Sequence, residues 1–205
     1  MKTPINSRTL RQHFTYNWWK YLVAVIAAFF VVDLYYTVTT YRAPENKKIE
    51  LYISGVVDDS FEDYLESVRA ESLPDMEEIT YITLTLDDTY GPMQLSTYIA
   101  AGEGDIYILP RDNFVSLASQ TAWVPLEDET ELMNLFETLG TSLQSGWRRD
   151  TDSGETHLYG IPLSVLPGAS KYMTTDSAYL CVLVTNGNTE NVLKFLRIFC
   201  EDMIE

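Results

Sequence analysis

QLSTYIAAGEGDIYILPRDNFVSLASQTAWVPLED, residues 94–128, carries the pattern that sets the architecture of this chain. Its first part is the end of a helix that starts near Pro92, and Gly102 and Gly104 close it. Asp105–Leu109 (DIYIL) is a short apolar strand, and Pro110, Arg111, Asp112 and Asn113 form a turn that caps a short helix, FVSLASQ. Trp123-Val124-Pro125-Leu126 is extended and precedes an acidic helix over Glu129–Leu139.

The same alternation runs upstream. Ile49–Val57 (IELYISGVV) is a β-branched, aromatic strand. Asp58, Asp59 and Ser60 cap a helix, SFEDYLESVRAES, whose Phe61, Leu65 and Val68 share one face, and Pro74 breaks the chain after it. Ile79–Leu86 is a second strand, followed by a cap at Asp87, Asp88 and Thr89. Downstream, Asp152-Ser153-Gly154 is a hairpin turn between two candidate strands. Ser177–Thr185 is a strand, Asn186-Gly187-Asn188 a turn, and Thr189–Met203 an amphipathic helix with Val192, Phe195, Leu196 and Phe199 on one face. The order β-α-β-α-β-α predicts a single three-layer α/β lobe with a mostly parallel sheet and right-handed crossovers. An α+β layer with some antiparallel strands is the alternative.

The charge is divided by position. The 205 residues hold 30 acids against 14 Lys and Arg, which argues against nucleic acid as a partner. Yet residues 1–20 contain Lys2, Arg8, Arg11 and Lys20 and no acid, whereas residues 43–205 contain nine Lys and Arg against 29 Asp and Glu, a net −20. Between them Trp18–Val38 is apolar and about 31 Å long as a helix, enough to cross a hydrocarbon core. Trp18, Trp19 and Tyr21 flank one end, and Tyr35, Tyr36 and Tyr41 the other, as interfacial aromatic belts do. The expected organisation is a basic cytoplasmic tail (1–17), a transmembrane signal anchor (18–38), a linker (39–48) and an extracytoplasmic α/β domain (49–205). The basic end stays inside, so this is a single-pass cell-membrane protein with its C-terminal domain outside. A cleaved signal peptide fits less well, because the n-region is long and no small-x-small site follows; no Cys follows for a lipid anchor. Asp33 lies near the exit of the span, at the interface or facing a second membrane helix.

Several pieces, in order, resemble the extracellular solute-binding proteins of ABC importers, the type with two α/β lobes and a hinge. Ala100, Ala101, Gly102, Gly104 and Asp105 match that family's small-residue turn and following strand. Trp123, Pro125 and Leu126 match the ending of its first-lobe signature, with Thr121-Ala122 where Gly is usual. His157–Leu163 (HLYGIPL) resembles the hinge-crossing strand, and Tyr179–Phe199 a later strand, turn and helix. The resemblance implies a periplasmic-binding-protein-like fold and non-catalytic binding of a small solute (a sugar, peptide or amino acid), accessory to transport or surface recognition. The second lobe is absent or reduced to residues 164–176, so only half of a ligand crevice is expected. The alternative is a structural or protein-interaction subunit of a membrane complex, with a membrane protein as partner.

Candidate ligand contacts fall at the carboxyl ends of the strands, where open α/β sheets bind. These are Ser54, Gly55 and Asp58; Asp88 and Tyr90; and Arg111 and Asp112. Trp123 and Tyr159 add aromatic surface suited to stacking. Their structural alternatives are core packing for the two aromatics, helix capping for the acids and a surface salt bridge for Arg111. No catalytic constellation emerges: His157 is the one His after the span, and G-x-S-x-G, H-E-x-x-H and phosphate-loop motifs are absent. No metal or cofactor is expected; Asp150–Gly154 lacks the ligand spacing of a calcium loop. Cys181 and Cys200 lie on the oxidising side and are either bridged or buried free thiols.

Overall fold

The computed structural model describes residues 7–86, 89–118, 120, 122–151, 153–175, 177–183 and 188–204. The chain divides into two units, Met1–Arg42 and Ala43–Glu205. Among its described residues the first unit holds one helix, α1 (Ser7–Thr39), which begins well before the expected span. Its Thr15–Thr39 segment is long and apolar enough to cross a membrane. The large apolar side chains along it, among them Trp18, Phe29, Leu34 and Val38, are exposed rather than packed in a protein core.

In the second unit the chain runs β1 (Lys48–Ser54), β2 (Val56–Val57), α2 (Ser60–Ser72), β3 (Glu78–Leu84), α3 (Gly91–Ala101), β4 (Ile106–Pro110), α4 (Arg111–Ala118) and α5 (Thr130–Thr138). It continues through β5 (Trp147–Arg149), β6 (Thr156–Leu158), β7 (Ile161–Pro162), β8 (Met173–Thr174), β9 (Ala178–Val182) and α6 (Thr189–Ile204). The central sheet has the order β3-β1-β4-β9-β7. β1 is parallel to both β3 and β4; β9 is antiparallel to β4 and to β7. Four of the five strands therefore point one way. β9 runs against them because the chain returns from β7 through short 3-10 turns rather than a helical crossover, and a return of that kind brings a strand back antiparallel.

Strand alternation divides the core into two layers. Ile49, Leu51 and Ile53 of β1, Ile106 and Ile108 of β4, and Leu180 and Val182 of β9 face α2, α5 and α6. There Phe61 meets Phe199 edge-on at 6.3 Å and Tyr172 at 5.7 Å. Tyr52, Tyr107, Leu109, Tyr179 and Cys181 face the opposite side, against Leu95 of α3 and Phe114 and Ala118 of α4. Phe114 stacks on Tyr179 at 4.5 Å. Helices on both faces of one sheet make the three-layer α/β lobe.

Two local features shape the ends of this sheet. The expected strand 49–57 is broken at Gly55, whose φ of +153° turns the chain out of the sheet. Val56–Val57 then pairs antiparallel with β8. A Cβ on Gly55 would lie 2.5 Å from the Thr174 carbonyl oxygen, so this approach needs glycine. At the other end Asp105 closes the ladder before β4 begins: its Oδ2 accepts the Glu50 N–H at 2.9 Å, and its own N–H donates to the Glu50 carbonyl at 2.9 Å.

Candidate functional site

The parallel strands β1, β3 and β4 end on the same side, and a groove of about 570 Å³ opens there. Residues 54–56, residues 84–86, Pro110, Thr174 and Thr175 wall it. Among the described residues its polar side chains are the hydroxyls of Ser54, Thr85, Thr174 and Thr175. The break at Gly55 makes one wall, because it sends β2 sideways onto β8 and brings Thr174 and Thr175 beside the strand ends. Gly91 makes another: a Cβ there would lie 2.3 Å from the Thr85 carbonyl oxygen, so α3 starts directly against the wall. Tyr90, next in the chain to Gly91, is 76% exposed, and Met93 beyond it is 70% exposed. Val56 on the opposite wall is 75% exposed. Thr174 and Thr175 also border a second depression of about 450 Å³, lined from Leu163 to Thr175 and by Ser177, at φ +45°, and Ala178.

Ser54 and Gly55 lie in the groove wall. Asp58 is exposed, but its Oδ1 accepts the Ser60 N–H at 3.0 Å and the Ser60 hydroxyl at 2.6 Å. It is a helix cap, and the Ser60 hydrogen bonds hold its carboxyl below the usual range. Asp87 and Asp88 lie outside the described residues. Arg111 and Asp112 open α4 just past Pro110, with the guanidinium 3.9 Å from the Asp112 carboxylate. Both are solvent-facing and adjoin the groove through Pro110. Trp123 and Tyr159 are buried, at 1% and 2% exposure, in the layer around Tyr107 and Phe114. In this position they offer no open face to a solute. Trp123 extends the sheet by an antiparallel bridge to Leu183, and its indole N–H has no acceptor among the described residues.

The sequence did not point to Thr85, Thr174, Thr175 or Met93. The strand-end rule reaches Thr85, which follows β3 directly. Thr174 and Thr175 arrive through a β2–β8 pairing that no local pattern announces.

His157 Nδ1 lies 2.5 Å from Glu127 Oε1, and the Leu158 N–H donates to Glu127 Oε2 at 2.9 Å. The hydrogen bond to Glu127 raises the His157 pKa. Glu127 thereby ties the segment after Leu126 to β6, across the β5–β6 hairpin. The Asp152 position of the hairpin turn lies outside the described residues. Cys181 and Cys200 are free and fully buried, one in each core layer, on opposite faces of the sheet. Burial pushes both thiols up. Among the described residues no group of His, Cys, Asp and Glu is placed to hold a metal ion.

A third cavity, about 520 Å³, lies at the amino ends of the strands. Glu45, Lys48, Glu50, Glu103 and Asp105 gather there. Lys48 Nζ is 3.0 Å from Glu45 and 3.1 Å from Glu50. Asp105 is buried beneath them, and burial first, then the Glu50 and Glu45 charges, push its carboxyl up to about 6 against the opposing Glu50 N–H bond and Lys48 charge.

No protein-family model matches the sequence, and no curated protein matches it. Solved structures with similarity include an extracellular solute-binding protein family 1 member from Alicyclobacillus acidocaldarius, at TM-score 0.43 and 17% identity over 59% of this chain and 29% of that one. Another is the N-glycan transport solute binding protein from Streptococcus pneumoniae, at TM-score 0.40 and 18% identity over 58% of this chain and 25% of that one. A third is an ABC substrate-binding protein from Listeria monocytogenes in complex with cycloalternan, at TM-score 0.36 and 16% identity over 55% of this chain and 28% of that one. The chain thus spans under a third of the length of each of them.

Proposed function

We propose that Ala43–Glu205 is a non-catalytic extracytoplasmic binding domain held at the cell membrane by α1, with the basic N-terminus inside. Its site is the groove at the carboxyl ends of β1, β3 and β4, and its ligand a small solute: a sugar, a peptide or an amino acid. One observation carries this reading. The groove sits where three parallel strands end, is lined by the hydroxyl-bearing Ser54, Thr85, Thr174 and Thr175, and has an exposed Tyr90 beside it. Hydroxyl groups next to an exposed aromatic side chain suit a polyhydroxylated or amide-bearing ligand. The order of motifs resembling ABC-importer binding proteins supports the same reading and a role accessory to transport or surface recognition. The groove is open on its outer side, so affinity is modest unless another surface closes over it.

The test is thermal unfolding of the Ala43–Glu205 fragment against a panel of oligosaccharides, short peptides and amino acids. A saturable rise in melting temperature with one class supports the reading, and the absence of any shift removes it. The apolar exposure of Val56, Tyr90 and Met93 favours a second reading, in which a partner protein docks on this rim and the domain is an interaction subunit of a membrane complex. In that case a membrane protein co-purifies with the full chain. If Asp33 contacts that partner within the bilayer, Asp33→Leu releases it; retention of the complex removes the intramembrane contact.

A further inference from the structure

The two edges of the central sheet are built differently. At one edge β7 is two residues long, fully buried and contains Pro162, features that block further pairing. At the other edge β3 is seven residues long, EITYITL, with no proline and no lysine. Among the described residues it pairs only with β1, so its outer row of backbone N–H and C=O groups has no strand beside it. Ile82 on this strand is exposed. β-branched residues dominate β3, so it stays extended and is a ready template for another strand.

Beside that edge runs a groove of about 700 Å³ between β3 and α2. Five carboxylates line it. Glu66 is held by a bidentate bond to Arg69, and Glu77 by Lys47 at 2.9 Å. Glu62, Asp63 and Glu78 have no ion-pair partner among the described residues. An uncovered strand flanked by uncompensated negative charge fits one kind of occupant.

We propose that β3 is a docking edge for an extended, cationic segment of a partner protein, which adds as a sixth strand and sets its Lys or Arg side chains against Glu62, Asp63 and Glu78. Backbone hydrogen bonds supply the pairing and the acids select for basic sequence. A second copy of this chain is disfavoured on the same ground, because edge-to-edge pairing would bring two acidic grooves together on domains that each carry net −20. This surface is separate from the strand-end groove, so it stands or falls independently of solute binding.

The test uses the full chain in zwitterionic detergent and a fluorescent seven-residue peptide of alternating lysine and valine. Saturable binding by anisotropy, with slowed hydrogen exchange confined to β3, is the expected result. A peptide of the same sequence with alternate backbone amides N-methylated keeps its charge and loses its binding. Combined Glu62→Gln and Asp63→Asn substitutions, both at exposed positions, weaken binding roughly three- to tenfold. Equal binding of the N-methylated peptide would show charge attraction without strand addition and overturn the proposal. Equal binding of an alternating glutamate–valine peptide, or self-association of the chain through β3, would overturn it as well.

Discussion

Replacing Asp105 with asparagine should stabilise the domain in a way that depends on pH. The carboxyl is buried at the start of β4, and burial raises it from 3.8 to about 6. In the unfolded chain it titrates at the ordinary value. Between those two pH values the folded state binds the extra proton, so stability falls as pH rises through the interval and levels off above it. The shift is 6 minus 3.8, about two units. At about 1.4 kcal/mol per unit the wild type loses on the order of 3 kcal/mol across that window. The asparagine side chain cannot titrate, and its amide oxygen still accepts the Glu50 N–H. Any fixed cost of the amide is the same at every pH, so the slope isolates the carboxyl. Urea unfolding of wild-type and D105N fragments from about pH 4 to pH 7.5 reads the difference directly. The stability of D105N relative to wild type should climb by about 2–3 kcal/mol from the acid end to above pH 6 and then stay flat. A difference that is constant across the range would mean that water in the amino-end cavity solvates Asp105. A difference of opposite slope would mean that Lys48 governs its ionisation.

Further outcomes follow from the same packing. Gly55→Val forces a side chain onto the Thr174 carbonyl at a φ that L-residues avoid; it should cost about 1–3 kcal/mol in chemical denaturation and abolish any ligand-induced thermal shift. Phe199→Ala empties the layer between α2 and α6, where Phe199 meets Phe61 and Tyr64, and should cost about 3–5 kcal/mol. Glu127→Gln removes the charge that favours protonated His157. The raised folded pKa means that this bond's contribution is complete below the unfolded value of about 6.5 and is lost as pH rises through the folded value. Urea unfolding across that range should show the wild type losing stability and the variant not.

The layers were legible because alternation and helical spacing are local. Ile49, Leu51 and Ile53 face one core and Phe61, Leu65 and Val68 the other side of that interface, as their spacing requires. The order of the strands was less so. Nothing near Ser177–Thr185 says that this strand inserts between β4 and β7 and runs antiparallel, because that depends on the length of the return from β7. Gly55 looked like part of a continuous strand; its break depends on the distant Thr174. The candidate site was partly legible for the same reason. Strand-end positions such as Ser54 and Gly55 follow from topology alone. Trp123 and Tyr159 sit on the inner side of α4, where only the packing of Phe114 and Tyr107 reveals that they are core.

The most direct test of solute binding at the strand ends is hydrogen-exchange mapping of Ala43–Glu205 with and without the solute that raises its melting temperature. Ligand-induced protection should fall on residues 54–56, residues 84–86 and Thr174–Thr175, the walls of the strand-end groove. Protection centred on Lys48, Glu103 and Asp105 would place the site at the opposite end of the sheet and contradict that assignment.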